Sequence, residues 1–207
     1  MTKYYKVGDV PINDTQTAQT VKSPSKRSNI RIQRPSGLDV IFRKPEDEDG
    51  SEVWKLIKRA GVLDLNSPYS YLMLCKFFSE TCVIAQDKNG KVVGFVSAFR
   101  PQTTEDTIFV WQVAVDTSQR GKGLGKALLR SLLSRDSCAD VRYLEATVSP
   151  SNIPSQSLFK GLAKDLETQC DISECFSENM FPEHGHESEW TYRIGPFKTK
   201  EITEEVL

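Results

Sequence analysis

The chain has 207 residues, with 27 Lys and Arg against 28 Asp and Glu and a formal net charge of −1 at pH 7. That balance excludes nucleic acid as a general electrostatic partner, and the length suits one α/β core with polar flanks. No run of about twenty apolar residues offers a membrane span, and the N-terminus lacks an apolar signal core.

Residues 1–36 read as a flexible polar extension. Positions 13–36 are rich in Thr, Ser, Gln, Lys and Pro without apolar periodicity, and Lys22, Lys26, Arg27, Arg31 and Arg34 make them locally basic. One domain is expected over 37–196, with a tail over 197–207. It opens with a strand over 38–43. The acids Glu46, Asp47, Glu48 and Asp49 then complement the dipole of a helix carrying Val53, Leu56, Ile57 and Ala60, which Gly61 ends. A second helix is expected over 69–78 and a strand over 81–85. The pair Asn89-Gly90 predicts a type I′ hairpin turn into a partner strand over 92–99. The run 108–115 is too β-branched and aromatic for a good helix and reads as a buried strand. Leu124, Leu128 and Leu132, four apart, set a helix starting near Gly123. A strand over 142–148, a helix over 151–163 with Asn152 near its start, and a last strand over 189–194 complete the order. One strand of the closing pair stays unassigned, with 169–176 the candidate. Five scattered cysteines (Cys75, Cys82, Cys138, Cys170 and Cys175) without a CxxC pair fit a reduced cytoplasmic compartment, Cys75 and Cys82 as small core residues.

Between the strand at 108–115 and its helix lies Gln119-Arg120-Gly121-Lys122-Gly123-Leu124-Gly125-Lys126. Glycines admit a ligand close to the backbone, several N–H groups point one way, and the helix dipole adds positive potential. Arg120, Lys122 and Lys126 strengthen it, so the expected anion is a phosphate. A P-loop is excluded, because no Ser or Thr follows either Gly-Lys pair to hold magnesium. A dinucleotide fingerprint starting at Gly121 and Gly123 would place its third glycine at Lys126, and it fails too. The pattern that fits is Arg120-x-x-Gly123-x-Gly125.

In that pattern the sequence resembles the GNAT acetyltransferase superfamily, whose loop of this form holds the pyrophosphate of acetyl-CoA. The resemblance implies an α/β GNAT fold, a mixed central sheet with splayed parallel strands 4 and 5 flanked by helices. It also implies cofactor contacts from the backbone of Val113, Ala114 and Val115, with a Val113 or Ala114 N–H polarising the thioester carbonyl. Arg120, Gly121, Lys122, Gly123, Leu124, Gly125 and Lys126 would hold the pyrophosphate, and Asn152, Ser155, Phe159 and Lys160 would face the cofactor from the next helix. The segments Asp64-Leu65-Asn66-Ser67 with Tyr69 and Tyr71, Phe109-Val110-Trp111-Gln112 and Thr147-Val148-Ser149-Pro150-Ser151-Asn152 narrow the resemblance. They are similar to the diaminobutyrate acetyltransferases of ectoine synthesis. That family transfers acetyl from acetyl-CoA to the γ-amine of L-2,4-diaminobutyrate, and it implies direct attack in a ternary complex and a homodimer. Other classes remain open: an acetyltransferase for another small amine or a protein amine, and a non-catalytic acyl-CoA-binding regulator.

The sequence departs from the superfamily pattern in two places. Phe159 stands where many members have a tyrosine acid, so water, another tyrosine or the amine itself must protonate the thiolate. Phe109, Val110 and Trp111 stand where others have a glutamate base, which moves that role to Glu145 or Asp64. The alternative for Glu145 is an ion pair with Arg142 or Arg100. Asp64 and Glu145 suit a dicationic substrate, Asn66, Ser67, Tyr69 and Tyr71 its carboxylate, and Thr147 sits on the same splayed strand. Trp111 is either a pocket wall or plain core. His184 and His186, flanked by Glu183 and Glu187, read as a solvated loop, and no metal is expected.

Overall fold

A computed structural model of the chain describes residues 38–61, 63–182 and 185–197. The polar extension over 1–36 and His184 lie outside the described residues. Seven strands form one mixed sheet: β1 (Val40–Arg43), β2 (Val83–Asp87), β3 (Val92–Phe99), β4 (Thr107–Val115), β5 (Tyr143–Val148), β6 (Cys170–Phe176) and β7 (Glu189–Ile194). Their order across the sheet is β1-β2-β3-β4-β5-β7-β6, with β4 and β5 parallel and every other pair antiparallel. Helices α1 (Gly50–Ala60) and α2 (Pro68–Phe77) cover one face, α3 (Leu124–Leu133) and α4 (Ile153–Asp165) the other. The segment 169–176 is thus the missing strand β6, seated at the outer edge against β7.

Each helix follows from its stripe and its ends. In α3, Leu124, Leu128 and Leu132 are wholly or almost wholly buried against β3 and β4, worth about 1.5–3 kcal/mol each. In α1, Val53, Leu56 and Ile57 are buried, and Gly61 ends the helix at φ 67°. The acids before α1 are structural: Arg43 forks onto Asp49 at 2.6 and 2.7 Å, and the Glu46 N–H donates to Asp49 at 2.7 Å. The core continues to Phe197, which is buried and whose N–H donates to the Arg142 carbonyl.

Two local expectations need correction. The β2–β3 turn is not type I′, because Gly90 has φ 82° while Asn89 keeps a negative φ. Asp87 builds it instead. Its carbonyl accepts the Gly90 N–H, and its side chain accepts those of Asn89 and Lys91. Strand β2 starts at Val83, because Ser79–Thr81 form a 3-10 turn and the Thr81 hydroxyl donates to the Ala98 carbonyl.

The feature that positions the site is where β4 and β5 part. They pair only from Thr107 and Tyr143 to Val110 and Ala146. Beyond that, Gln112 to Val115 pair with β3 alone and Thr147 and Val148 with β7 alone. The divergence starts at Trp111, an extra residue in the β3–β4 register between Val110 opposite Ala98 and Gln112 opposite Ser97. A bulge bends the strand that carries it, so β4 leaves β5 there.

Candidate active site

A cleft of about 510 Å³ opens at this divergence. Trp111 and Gln112 enter it from β4, Thr147 and Val148 from β5, Asp64 and Asn66 from the α1–α2 loop, and His186, Glu187 and Glu189 from the approach to β7. Trp111 is 43% exposed, a pocket wall and not core. The loop is pinned from beneath. Gln112 Nε2 donates to the Asp64 carbonyl at 2.9 Å, while the wholly buried Tyr71 hydroxyl donates to Gln112 Oε1 and accepts the Asn66 N–H.

The charge of the cleft is one-sided. Asp64, Glu187 and Glu189 line it, with His186 the one titratable base and no Lys or Arg among the described lining residues. Burial pushes the Glu189 carboxyl above its ordinary value of 4.5, and the nearby Asp64 and Glu187 charges push the same way. His186 and a hydrogen bond from Thr147 oppose that rise. Glu187 is pulled down by its bonds with Ser151, whose N–H donates to it at 2.8 Å. The His186 ring stacks on Phe181 with centroids 3.7 Å apart.

The candidates named from sequence divide. Asp64, Asn66, Trp111, Thr147 and Asn152 meet in the cleft. Glu145 lies outside it and pairs with Arg193, its cross-strand neighbour on β7, not with Arg142 or Arg100. Arg193 in turn stacks on Tyr143, and Arg100 is taken by Asp140. Ser67 is the N-cap of α2, accepting the Ser70 N–H, Tyr69 is 68% exposed on that helix, and Tyr71 supports the loop from below. Glu189 is not a sequence candidate, and His186 enters only as part of a solvated loop, whereas the structure brings both to the cleft. Glu189 is the first residue of an ordinary-looking strand, and His186 sits in a segment without periodicity. The one available signal was the acid–histidine crowding from Glu183 to Glu189.

The turn after β4 has the geometry of an anion cradle. Gly121 and Gly123 take φ 74° and 79°, and a Cβ on either would meet nothing within 4 Å. The first α3 bond runs from the Ala127 N–H to the Gly123 carbonyl, which leaves the N–H groups of Leu124, Gly125 and Lys126 without helical acceptors. The charged side chains nearby bond to the protein instead: Arg120 to the Ala60 carbonyl, Lys122 to Gln119 and Lys126 to Asp165. On β4, Val115 faces Gly94 and the Asp116 N–H reaches the Val93 carbonyl. Antiparallel alternation then gives the Ala114 N–H to β3 and turns those of Val113 and Val115 toward the gap. Of the α4 candidates, Asn152 caps the helix by accepting the Ser155 N–H. Phe159 turns into the core beside Tyr192, and Lys160 lies over the Tyr192 ring, so neither is brought to the turn. Leu158 packs toward the start of α3, 3.3 Å from where a Gly125 Cβ would stand. Among the described residues no group of three or more His, Cys, Asp and Glu is arranged to hold a metal.

Comparison with known proteins agrees with this geometry. The model of the acetyltransferase (GNAT) family matches residues 51–163. An L-2,4-diaminobutyric acid acetyltransferase of Marinococcus halophilus is 58% identical over 158 residues, 76% of this chain and 91% of that one. Its counterpart in Halalkalibacterium halodurans is 53% identical over 171 residues, 82% and 89% of the two chains. The diaminobutyrate acetyltransferase EctA of Paenibacillus lautus, solved with L-2,4-diaminobutyric acid and coenzyme A, superposes with a TM-score of 0.74 at 46% identity, covering 78% of this chain and 97% of that one. The chain belongs to the acetyltransferase (GNAT) family and, within it, to the L-2,4-diaminobutyric acid acetyltransferases.

Proposed function

We propose that this protein transfers the acetyl group of acetyl-CoA to the γ-amine of L-2,4-diaminobutyrate, the acetylation step of ectoine biosynthesis, by direct attack in a ternary complex. The observation that carries the reading is Asp64 and Glu189 converging in an acidic cleft where the two parallel strands part. Bound acetyl-CoA supplies an activated acyl carbon. The turn from Gly121 to Lys126 takes its pyrophosphate on the free N–H groups of α3 and the two open glycines, and Val113 and Val115 pair with its pantetheine arm. The Val113 N–H polarises the thioester carbonyl. Asp64 holds one ammonium group of the substrate. Glu189 accepts the proton of the other, which makes that nitrogen a nucleophile; as its bond to the acyl carbon forms the C–S bond breaks, and the departing CoA thiolate takes up the proton that the acetylated nitrogen loses. An acidic cleft without Lys or Arg favours a substrate with two amines over a neutral one.

Incubating the protein with acetyl-CoA and L-2,4-diaminobutyrate and assigning the product by NMR tests this reading. The acetyl group is expected on the γ-nitrogen. Acetylation at the α-nitrogen, or equal rates with lysine and ornithine, would refute it. The same reading includes a homodimer, to be checked by light scattering of the eluted protein, and a cytoplasmic site consistent with five free thiols. No described helix is long and apolar enough to cross a membrane.

A further inference from the structure

The turn that follows β4 and the loop that carries Asp64 are tied together by crossed links at the end of α1. Arg120 Nη2 donates to the Ala60 carbonyl at 2.7 Å, across 60 residues of sequence. In the opposite sense, Arg59 Nη2 lies 3.9 Å from Asp116 Oδ2, a carboxylate whose side chain is 8% exposed and which also accepts Lys91 at 2.8 Å. Ala60 is the last residue of α1, and Gly61 then turns the chain into the segment that delivers Asp64 and Asn66 to the cleft. That segment is held at three points: Arg120 at its start, Gln112 at the Asp64 carbonyl and Tyr71 at the Asn66 N–H. Only the first comes from the cradle of glycines and free helix N–H groups. A guanidinium in a phosphate turn is ordinarily read as a phosphate ligand, yet this one is directed at a helix C-terminus, where a cation also complements the dipole.

We infer that Arg120 is a positioning residue that couples the two substrates: by holding the end of α1 to the pyrophosphate turn, it places Asp64 and Asn66 for the diamine when the cofactor settles on the turn. This rests on the reaction proposed above. Coupling of this kind is reciprocal, so CoA tightens diaminobutyrate and diaminobutyrate tightens CoA by one factor.

The test is calorimetric titration of diaminobutyrate with and without saturating CoA, a pair that binds without turnover. Arg120→Met, which keeps the stem and loses the donors, and Arg120→Lys, which keeps one donor, are compared with the unaltered protein. CoA should tighten diaminobutyrate about five-fold or more in the unaltered protein and less than about two-fold in Arg120→Met, with partial return in Arg120→Lys. Affinity for CoA alone should change by less than about three-fold in Arg120→Met, since its side chain is not aimed at the phosphates. Unaltered coupling in Arg120→Met, no coupling in the unaltered protein, or a large loss of CoA affinity with coupling retained would each overturn the inference. Failure of the unaltered protein to bind either compound would instead overturn the proposed reaction. Should Arg120→Met not fold, Arg120→Lys alone decides, by whether its coupling falls below that of the unaltered protein.

Discussion

Replacing Glu189 with Gln keeps the shape and the hydrogen bond with Thr147 but removes the proton acceptor. A positioned general base contributes roughly 10²–10⁴ to turnover, so kcat in Glu189→Gln should fall by that factor while the Kd for diaminobutyrate changes less. The structure also fixes the sign of the pH dependence. Burial raises the Glu189 carboxyl above 4.5, with Asp64 and Glu187 adding to the rise, so the acidic limb of kcat/KM should lie above the ordinary carboxylate range. Because Thr147 bonds to the ionised form and opposes the rise, Thr147→Val should carry the limb higher still. The same shift is a statement about stability. A carboxyl raised in the folded state favours folding while protonated, and this contribution is lost as the pH rises through its folded value. Glu189→Gln should therefore raise Tm at neutral pH, with the gain vanishing below pH 4.5. Release of free thiol from acetyl-CoA across pH, with thermal unfolding alongside, reads all three. Unaltered turnover with an unaltered acidic limb in Glu189→Gln would refute the assignment.

Glu145→Gln, by contrast, breaks only the partly exposed pair with Arg193, so thiol release should stay within a few-fold and stability fall by about 1 kcal/mol or less. Gly123→Val should raise the KM for acetyl-CoA about ten-fold or more, the worth of one charge-assisted hydrogen bond, because a Cβ there meets only the open cradle. Its φ of 79° adds backbone strain, which thermal unfolding will report as about 1–2 kcal/mol. Although burial opposes it, Asp116 is pulled down from 3.8 to about 2 by Lys91 and Ser118, so Asp116→Asn should cost about 2 kcal/mol in denaturant unfolding. That contribution is present above about pH 4 and disappears as the pH falls toward 2. Tyr71→Phe leaves the buried Gln112 amide short of a donor and the Asn66 N–H short of an acceptor, costing about 1–3 kcal/mol and raising the KM for diaminobutyrate.

Much of the fold was legible because periodicity and punctuation agreed. The Leu124, Leu128 and Leu132 stripe, Gly61 after α1 and the glycines of the turn each carry a local cause. Local signals failed where a neighbour decided. Asn89-Gly90 is the favoured type I′ pair, but Asp87 two residues before it offers its side chain to two backbone N–H groups and selects another turn. Strand β6 has no buried residue to announce it, since its positions are exposed or half-exposed and its pairing with β7 is what makes it a strand. The site shows the same division. Asp64, Asn66 and Trp111 stand in distinctive motifs, whereas Glu189 gains its character from His186 beside it in the chain and from Asp64 and Thr147, which are near in space and far along the chain. Glu145 misled for the converse reason: a carboxylate on an inner strand invites a use, and its partner Arg193 is 48 residues away.

The divergence at Trp111 leaves the sheet as two plates, β1 to β4 and β5 to β7, joined by four residue pairs from Thr107 and Tyr143 to Val110 and Ala146. The walls of the cleft belong to different plates, Trp111 and Gln112 to one, Thr147 and Glu189 to the other. The spacing of those two walls is therefore set by the stiffness of a short hinge. Ile108 and Leu144, paired across that hinge and fully buried, act as its shims. Thinning either would alter the spacing of the active site without touching a residue in it.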